Sequence, residues 1–110
     1  MPTLVQFDFP FQGPFGSQLA NAVRDLAQSI AGEPGLIWKI WTENPQKHEA
    51  GGIYLFKDEE SLQGFTASPL VAAVLSHPAL SNFDLRVTNI LEEVSALTRA
   101  PLMDLAAVKP

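Results

Sequence analysis

The chain opens on strict alternation. Between Thr3 and Phe9, Val5, Phe7 and Phe9 share one side while Gln6 and Asp8 share the other. That is the period-two pattern of a strand with one buried face. Pro10 ends it, and Phe11-Gln-Gly-Pro-Phe-Gly16 is a loop punctuated by Gly and Pro. Ser17 is a suitable N-cap, and Leu19, Val23, Leu26 and Ile30 follow at helical spacing, with Arg24, Asp25 and Gln28 off the stripe. Gly32 stops the helix and Pro34-Gly35 confirm the break.

Leu36 to Glu43 reads as a second strand, with Leu36, Trp38 and Ile40 toward the helices and Lys39, Trp41 and Glu43 on the other face. Asn44 to Lys47 is a turn and His48 to Lys57 a third strand, where Gly51-Gly52 signals a bulge or a close backbone approach. Asp58 caps a short helix carrying Leu62 and Phe65; Ser68-Pro69 starts another, with Leu70, Val74 and His77 on one side and Pro78 at its end. Asn82 to Glu92 is the fourth strand: Phe83, Leu85, Val87, Asn89 and Leu91 on one face, Asp84, Arg86, Thr88 and Glu92 on the other. Weak helical character returns around Leu102 to Ala107.

The order β-α-β-β-α-β is the split βαβ plan. It predicts a ferredoxin-like α+β fold, a four-stranded antiparallel sheet with helices on one face. Residues 1–110 read as a single domain with 93–110 as a C-terminal extension.

The helix-free face then carries Gln6, Asp8, Lys39, Trp41, Glu43, Asp84, Arg86 and Thr88. Mixed charge beside a large aromatic predicts a sheet-to-sheet homodimer, with Lys39 and Arg86 pairing to Asp8, Glu43 or Asp84. Composition adds to this, because 46% hydrophobic and only 17% charged residues leave apolar surface to cover.

Net charge is −5, and the seven basic residues are scattered, so neither nucleic acid nor an anionic membrane is an expected partner. The absence of cysteine excludes a disulfide framework, a thiolate metal site and a thiol nucleophile. No leader pattern or long apolar run stands out, which predicts a cytoplasmic location. Neither a Gly-rich dinucleotide fingerprint nor a His-x-x-His or His-Glu-x-x-His spacing occurs, so no cofactor and no metal are expected.

Several segments resemble the YdhR-like monooxygenase family of the dimeric α+β barrel superfamily. They are Gly13-Pro-Phe-Gly16, Glu33-Pro-Gly35, Trp38-Lys-Ile-Trp-Thr-Glu43, His48-Glu-Ala-Gly-Gly-Ile-Tyr-Leu-Phe56 and Asp58-Glu59. The likeness is dense from residue 3 to about 60 and is one of pattern beyond that. The resemblance implies a dimer whose two sheets form a barrel with helices outside. It also implies an apolar ligand cavity between sheet and helices, and oxygenation of a small aromatic or phenolic compound by molecular oxygen without a cofactor. Phe7, Phe9, Ile40, Phe56, Phe65, Phe83 and Asn89 are the expected pocket positions.

Such chemistry asks for a dry aromatic pocket, a donor to a developing oxyanion and a base. Four side chains are candidates. Trp38 is either core or a pocket wall with a free indole N–H. Tyr54, the lone tyrosine, either orients a substrate oxygen or makes a structural hydrogen bond. His48 neighbours Glu49, and in a regular strand the two face opposite sides, so they form no pair by themselves. His77 is either a core or capping residue, or a base or haem ligand aimed into the cavity. A second reading follows from the lack of a convergent acid–base set: a non-catalytic small-ligand or stress-response dimer, haem being one candidate ligand.

Overall fold

The computed structural model describes residues 1–76 and 82–102. Four strands form one antiparallel sheet in the order β2-β3-β1-β4: β1 Thr3–Pro10, β2 Leu36–Asn44, β3 Glu49–Phe56 and β4 Asp84–Asn89. The helices are α1 Ser17–Ala22, α2 Arg24–Ala31, α3 Glu59–Thr66, α4 Pro69–Leu75 and α5 Glu92–Leu97. The first four pack on the sheet face that carries Val5, Tyr54 and Phe56, and with Ile30, Leu62 and Phe65 these side chains form the buried core. This is the ferredoxin-like architecture expected from the element order.

Capping chemistry sets several boundaries. The Asp58 carboxylate accepts from Ser61 N–H at 2.8 Å, and the Ser68 hydroxyl accepts from Val71 N–H at 3.3 Å with Pro69 at the first helical position. The first helix differs from expectation. Gly16, at φ 66°, holds the N-cap position instead of Ser17, and the helix breaks at Val23 into α1 and α2. A left-handed backbone at that cap suits glycine, and the Gly16 N–H is satisfied by the Glu43 carboxylate at 2.8 Å.

The Gly51-Gly52 pair marks close approach without a bulge, since β3 pairs with β1 continuously from Glu49 to Phe56. A Cβ on Gly51 would collide with the Phe7 carbonyl oxygen; one on Gly52 would lie 2.6 Å from Lys39 Cε. The bulge is instead in β2. Leu36 pairs with Phe56 and Trp38 with Leu55, so Ile37 is an extra residue.

That residue overturns the expected faces of β2. Because side chains alternate with period two, one inserted residue inverts every later position. Lys39 pairs with Tyr54 and Trp41 with Gly52, on the helix-covered face; Trp38 and Ile40 lie on the other. The predicted mixed-charge patch therefore loses Lys39, Trp41 and Glu43. What remains includes Gln6, whose amide donates to Asp8 at 3.1 Å, and an Arg86–Asp84 pair at 3.5 Å within one strand. Both partners of that pair are largely exposed, so it contributes little to stability.

After β4 the chain turns into α5, earlier than the helical character expected around Leu102 to Ala107; from 103 onward that expectation lies outside the described residues. The segment leaves β4 at one edge of the sheet and reaches Trp38 on β2 at the other edge, where the indole N–H donates to the Pro101 carbonyl oxygen at 2.7 Å. It returns on the face away from the core, where Leu55 is fully buried.

Candidate active site

Between the sheet and helices α1 to α4 lies a cavity of about 490 Å³. Small-molecule sites typically enclose about 300–1,000 Å³, so its size suits a ligand of one to a few rings. Its floor is the alternating face of β1 (Val5, Phe7, Phe9), β3 (Tyr54, Phe56) and β2 (Lys39, Trp41). Its roof is Val23 at the α1–α2 break and the apolar stripe of α2 (Leu26, Ile30), with Leu62 and Phe65 from α3 and Leu70, Val71 and Val74 from α4. At its rim Trp41, Leu75 and Leu85 are 38, 41 and 50% exposed, giving access from solvent.

Aromatic rings wall it in two groups. Phe7, Phe9 and Phe11 form a ladder with successive centroids 5.6 and 6.0 Å apart, which Phe15 extends outside the lining at 5.5 Å from Phe11. Tyr54, Phe56 and Phe65 form a triangle with centroids 5.4–6.1 Å apart. Offset and edge contacts at these spacings are the favoured aromatic geometries.

Lys39 is the polar exception. Its Nζ sits 3.3 Å from the Trp41 ring centroid and 4.4 Å from that of Tyr54. Burial pulls its pKa down to about 7, while the two ring faces favour the cation and oppose that shift. Burial also pushes the Tyr54 hydroxyl up to about 12, so it is a hydrogen-bond donor at neutral pH. Lys39 and Tyr54 are the titratable side chains among the described residues lining the cavity.

The expected site residues separate accordingly. Phe7, Phe9, Tyr54, Phe56 and Phe65 line the cavity. Ile40 does not: the β2 bulge places it on the opposite face, 52% exposed. Trp38 is there too, with its indole N–H committed to Pro101. Phe83 packs on Phe7 at 5.3 Å from outside the lining, and Asn89 is exposed, paired with Thr3. His48 precedes β3 rather than belonging to it; it is an exposed turn residue at φ 55°, and its carbonyl accepts from Phe11 N–H at 2.8 Å. His77 lies outside the described residues.

Lys39 and Trp41 are the cavity residues that alternation misplaces. What places them is their register against β3, Lys39 beside Tyr54 and Trp41 beside Gly52, which β2 by itself does not supply.

Among the described residues no group of three or more His, Asp or Glu is placed to hold a metal ion, and no helix is long and apolar enough to cross a membrane. Solved structures share the fold at low identity. Rv0793 from Mycobacterium tuberculosis is 18% identical with a TM-score of 0.64, over 86% of this chain and 100% of that one. A variant of SnoaB, a cofactor-independent oxygenase from Streptomyces nogalater, is 15% identical at TM-score 0.64, over 83% of this chain and 94% of that one. An antibiotic biosynthesis monooxygenase candidate from Caulobacter crescentus is 16% identical at TM-score 0.67, over 83% and 91%. No curated protein sequence matches. The family described as "Putative mono-oxygenase ydhR" matches residues 4–101, nearly the whole described chain, and this protein belongs to that family.

Proposed function

We propose that this protein is a cofactor-independent monooxygenase acting on a small aromatic or phenolic compound held between sheet and helices. The observation that carries the reading is the cavity: aromatic walls on both sides, and Lys39 and Tyr54 as its titratable groups. Family membership and a fold shared with a cofactor-independent oxygenase support it.

The chemistry needs no external reductant. An aryl CH₂ group flanking a ketone ionises to an electron-rich enolate, which passes an electron to oxygen and recombines with it. Loss of water leaves a second carbonyl. The CH₂ becomes C=O, its two hydrogens leave with the other oxygen atom as water, and all four electrons come from the substrate. The protein's part is to exclude water, hold the ring system and stabilise the anion. Tyr54 supplies a donor that stays protonated, and the phenyl ladder supplies the apolar walls.

The reading includes a homodimer formed through the sheet face that bears Ile40, beside the apolar exposed side of α5 at Val94 and Leu97.

Oxygen-electrode assays with a panel of anthrones and hydroquinones test the function. Uptake equal to product formed, unaffected by chelator and reduced at least tenfold in Tyr54→Phe, is the expected result. No turnover across the panel rejects the reading. Saturable binding of the same compounds without oxygen uptake replaces it with a non-catalytic ligand carrier.

A further inference from the structure

We propose that Lys39 is the anion-forming and anion-holding group of the cavity, and that the ligand class is a carbonyl-conjugated phenol or enol. The proposal rests on the cavity being the substrate site. In it the neutral amine accepts the proton of the ligand O–H: that O–H bond breaks, an N–H bond forms, and the ammonium–oxyanion pair stays inside the cavity.

Three features of placement carry this. First, Lys39 does not reach to solvent like most surface lysines. Its stem lies over Gly52, where a Cβ would stand 2.6 Å from its Cε, so the missing side chain is the groove that lets the lysine turn inward. Second, Trp41 and Tyr54 fix the amine against their ring faces. Third, no carboxylate lines the cavity among the described residues.

The charged and titratable groups around Lys39 can be named element by element. On β2, Glu43 shares its face but accepts from the Gly16 N–H at 2.8 Å. On β3 there is Tyr54. β1 presents Val5, Phe7 and Phe9, and α1 to α4 present apolar side chains and Thr66. The ion pair found among the described residues, Arg86–Asp84, belongs to the opposite face. Among the described residues a cation desolvated in this way lacks an anion, and a ligand oxyanion completes it.

The ligand's acidity follows from that of the amine. Burial holds Lys39 near neutrality, at about 7. Efficient proton transfer requires donor and acceptor of similar strength. An ordinary phenol is too weak an acid; conjugation with a carbonyl brings the O–H into range.

The test uses 4-nitrophenol, whose phenolate form absorbs in the visible, titrated with the intact protein from acid to alkaline pH. The wild type is expected to lower the apparent ionisation pH of the bound probe by about one unit or more relative to free probe. Lys39→Met is expected to raise it above that of free probe, as an apolar cavity without a cation does. Lys39→Gln serves if the Met variant does not fold, with far-UV circular dichroism as the check.

No binding by the wild type, no downward shift, or a shift retained in both neutral variants overturns the proposal. The two readings fail separately. A downward shift with no oxygen uptake from any phenol removes the oxygenase and leaves Lys39 its role. Oxygen uptake with no shift does the reverse.

Discussion

The indole N–H of Trp38 and the carbonyl oxygen of Pro101 meet at 2.7 Å across 63 positions of sequence. The bond ties the C-terminal segment to the edge strand farthest from the one it leaves. Losing one such bond costs about 1 kcal/mol. Trp38→Phe should lower stability by that amount in urea unfolding and speed tryptic cleavage at Arg99. It should leave ligand binding unchanged, because the indole lies on the face opposite the cavity. Unaltered cleavage would show that other contacts hold the segment.

Gly52→Ala and Gly64→Ala should move stability in opposite directions. A Cβ at Gly52 meets Lys39 Cε at 2.6 Å and the Ile40 carbonyl oxygen at 3.2 Å, and only the first can swing away. The expected loss is about 1–2 kcal/mol, with altered Trp41 fluorescence as the ammonium leaves the ring. At Gly64, inside α3, a Cβ meets nothing within 4 Å, so alanine should gain up to about 1 kcal/mol from helix propensity. Chemical denaturation of both variants reads the two signs.

The combined contribution of Lys39 and Tyr54 to stability should be greatest near pH 10. Lys39 titrates at about 7 when folded, against about 10.4 unfolded, so between those values the unfolded chain binds the extra proton and stability rises with pH. Tyr54 titrates at about 12 when folded, against about 10 unfolded, so above pH 10 the folded chain binds the extra proton and stability falls. Urea midpoints measured from pH 6 to 11 check this. Lys39→Met should flatten the rising limb and Tyr54→Phe the falling one; identical profiles in the variants would remove both assignments.

Ile40→Asp should convert a dimer into a monomer. Ile40 is 52% exposed on the sheet face away from the core, and a carboxylate there would be desolvated without a partner in a sheet-to-sheet contact. Size-exclusion chromatography with light scattering reads the mass. A wild type already monomeric at micromolar concentration ends the dimer reading.

Fold and site were unequally legible in the sequence. β1 alternates cleanly from Val5 to Phe9, Asp58 and Ser68 announce their caps, and β4 alternates charged with apolar residues from Asp84 to Val87. Each of these depends on neighbours in sequence, and each matches the structure. β2 does not alternate: Leu36, Ile37, Trp38, Ile40 and Trp41 are all apolar, so either face can be the buried one. Lys39 then reads as the solvent marker. The pairing with Tyr54 decides otherwise, and that is a long-range fact. In the sequence His48 reads as part of β3 because it precedes Glu49 without a break, whereas its left-handed backbone belongs to the turn.

The irregularity at Ile37 is a single residue of chain length with the reach of a whole-strand rewrite. Deleting it would bring Trp38 and Ile40 under the helices and turn Lys39 out to water, exchanging a basic chamber for an oily one while leaving every downstream amino acid unchanged. Length at that point, as much as the lysine itself, therefore sets whether the chamber presents an amine or an alkyl and indole surface.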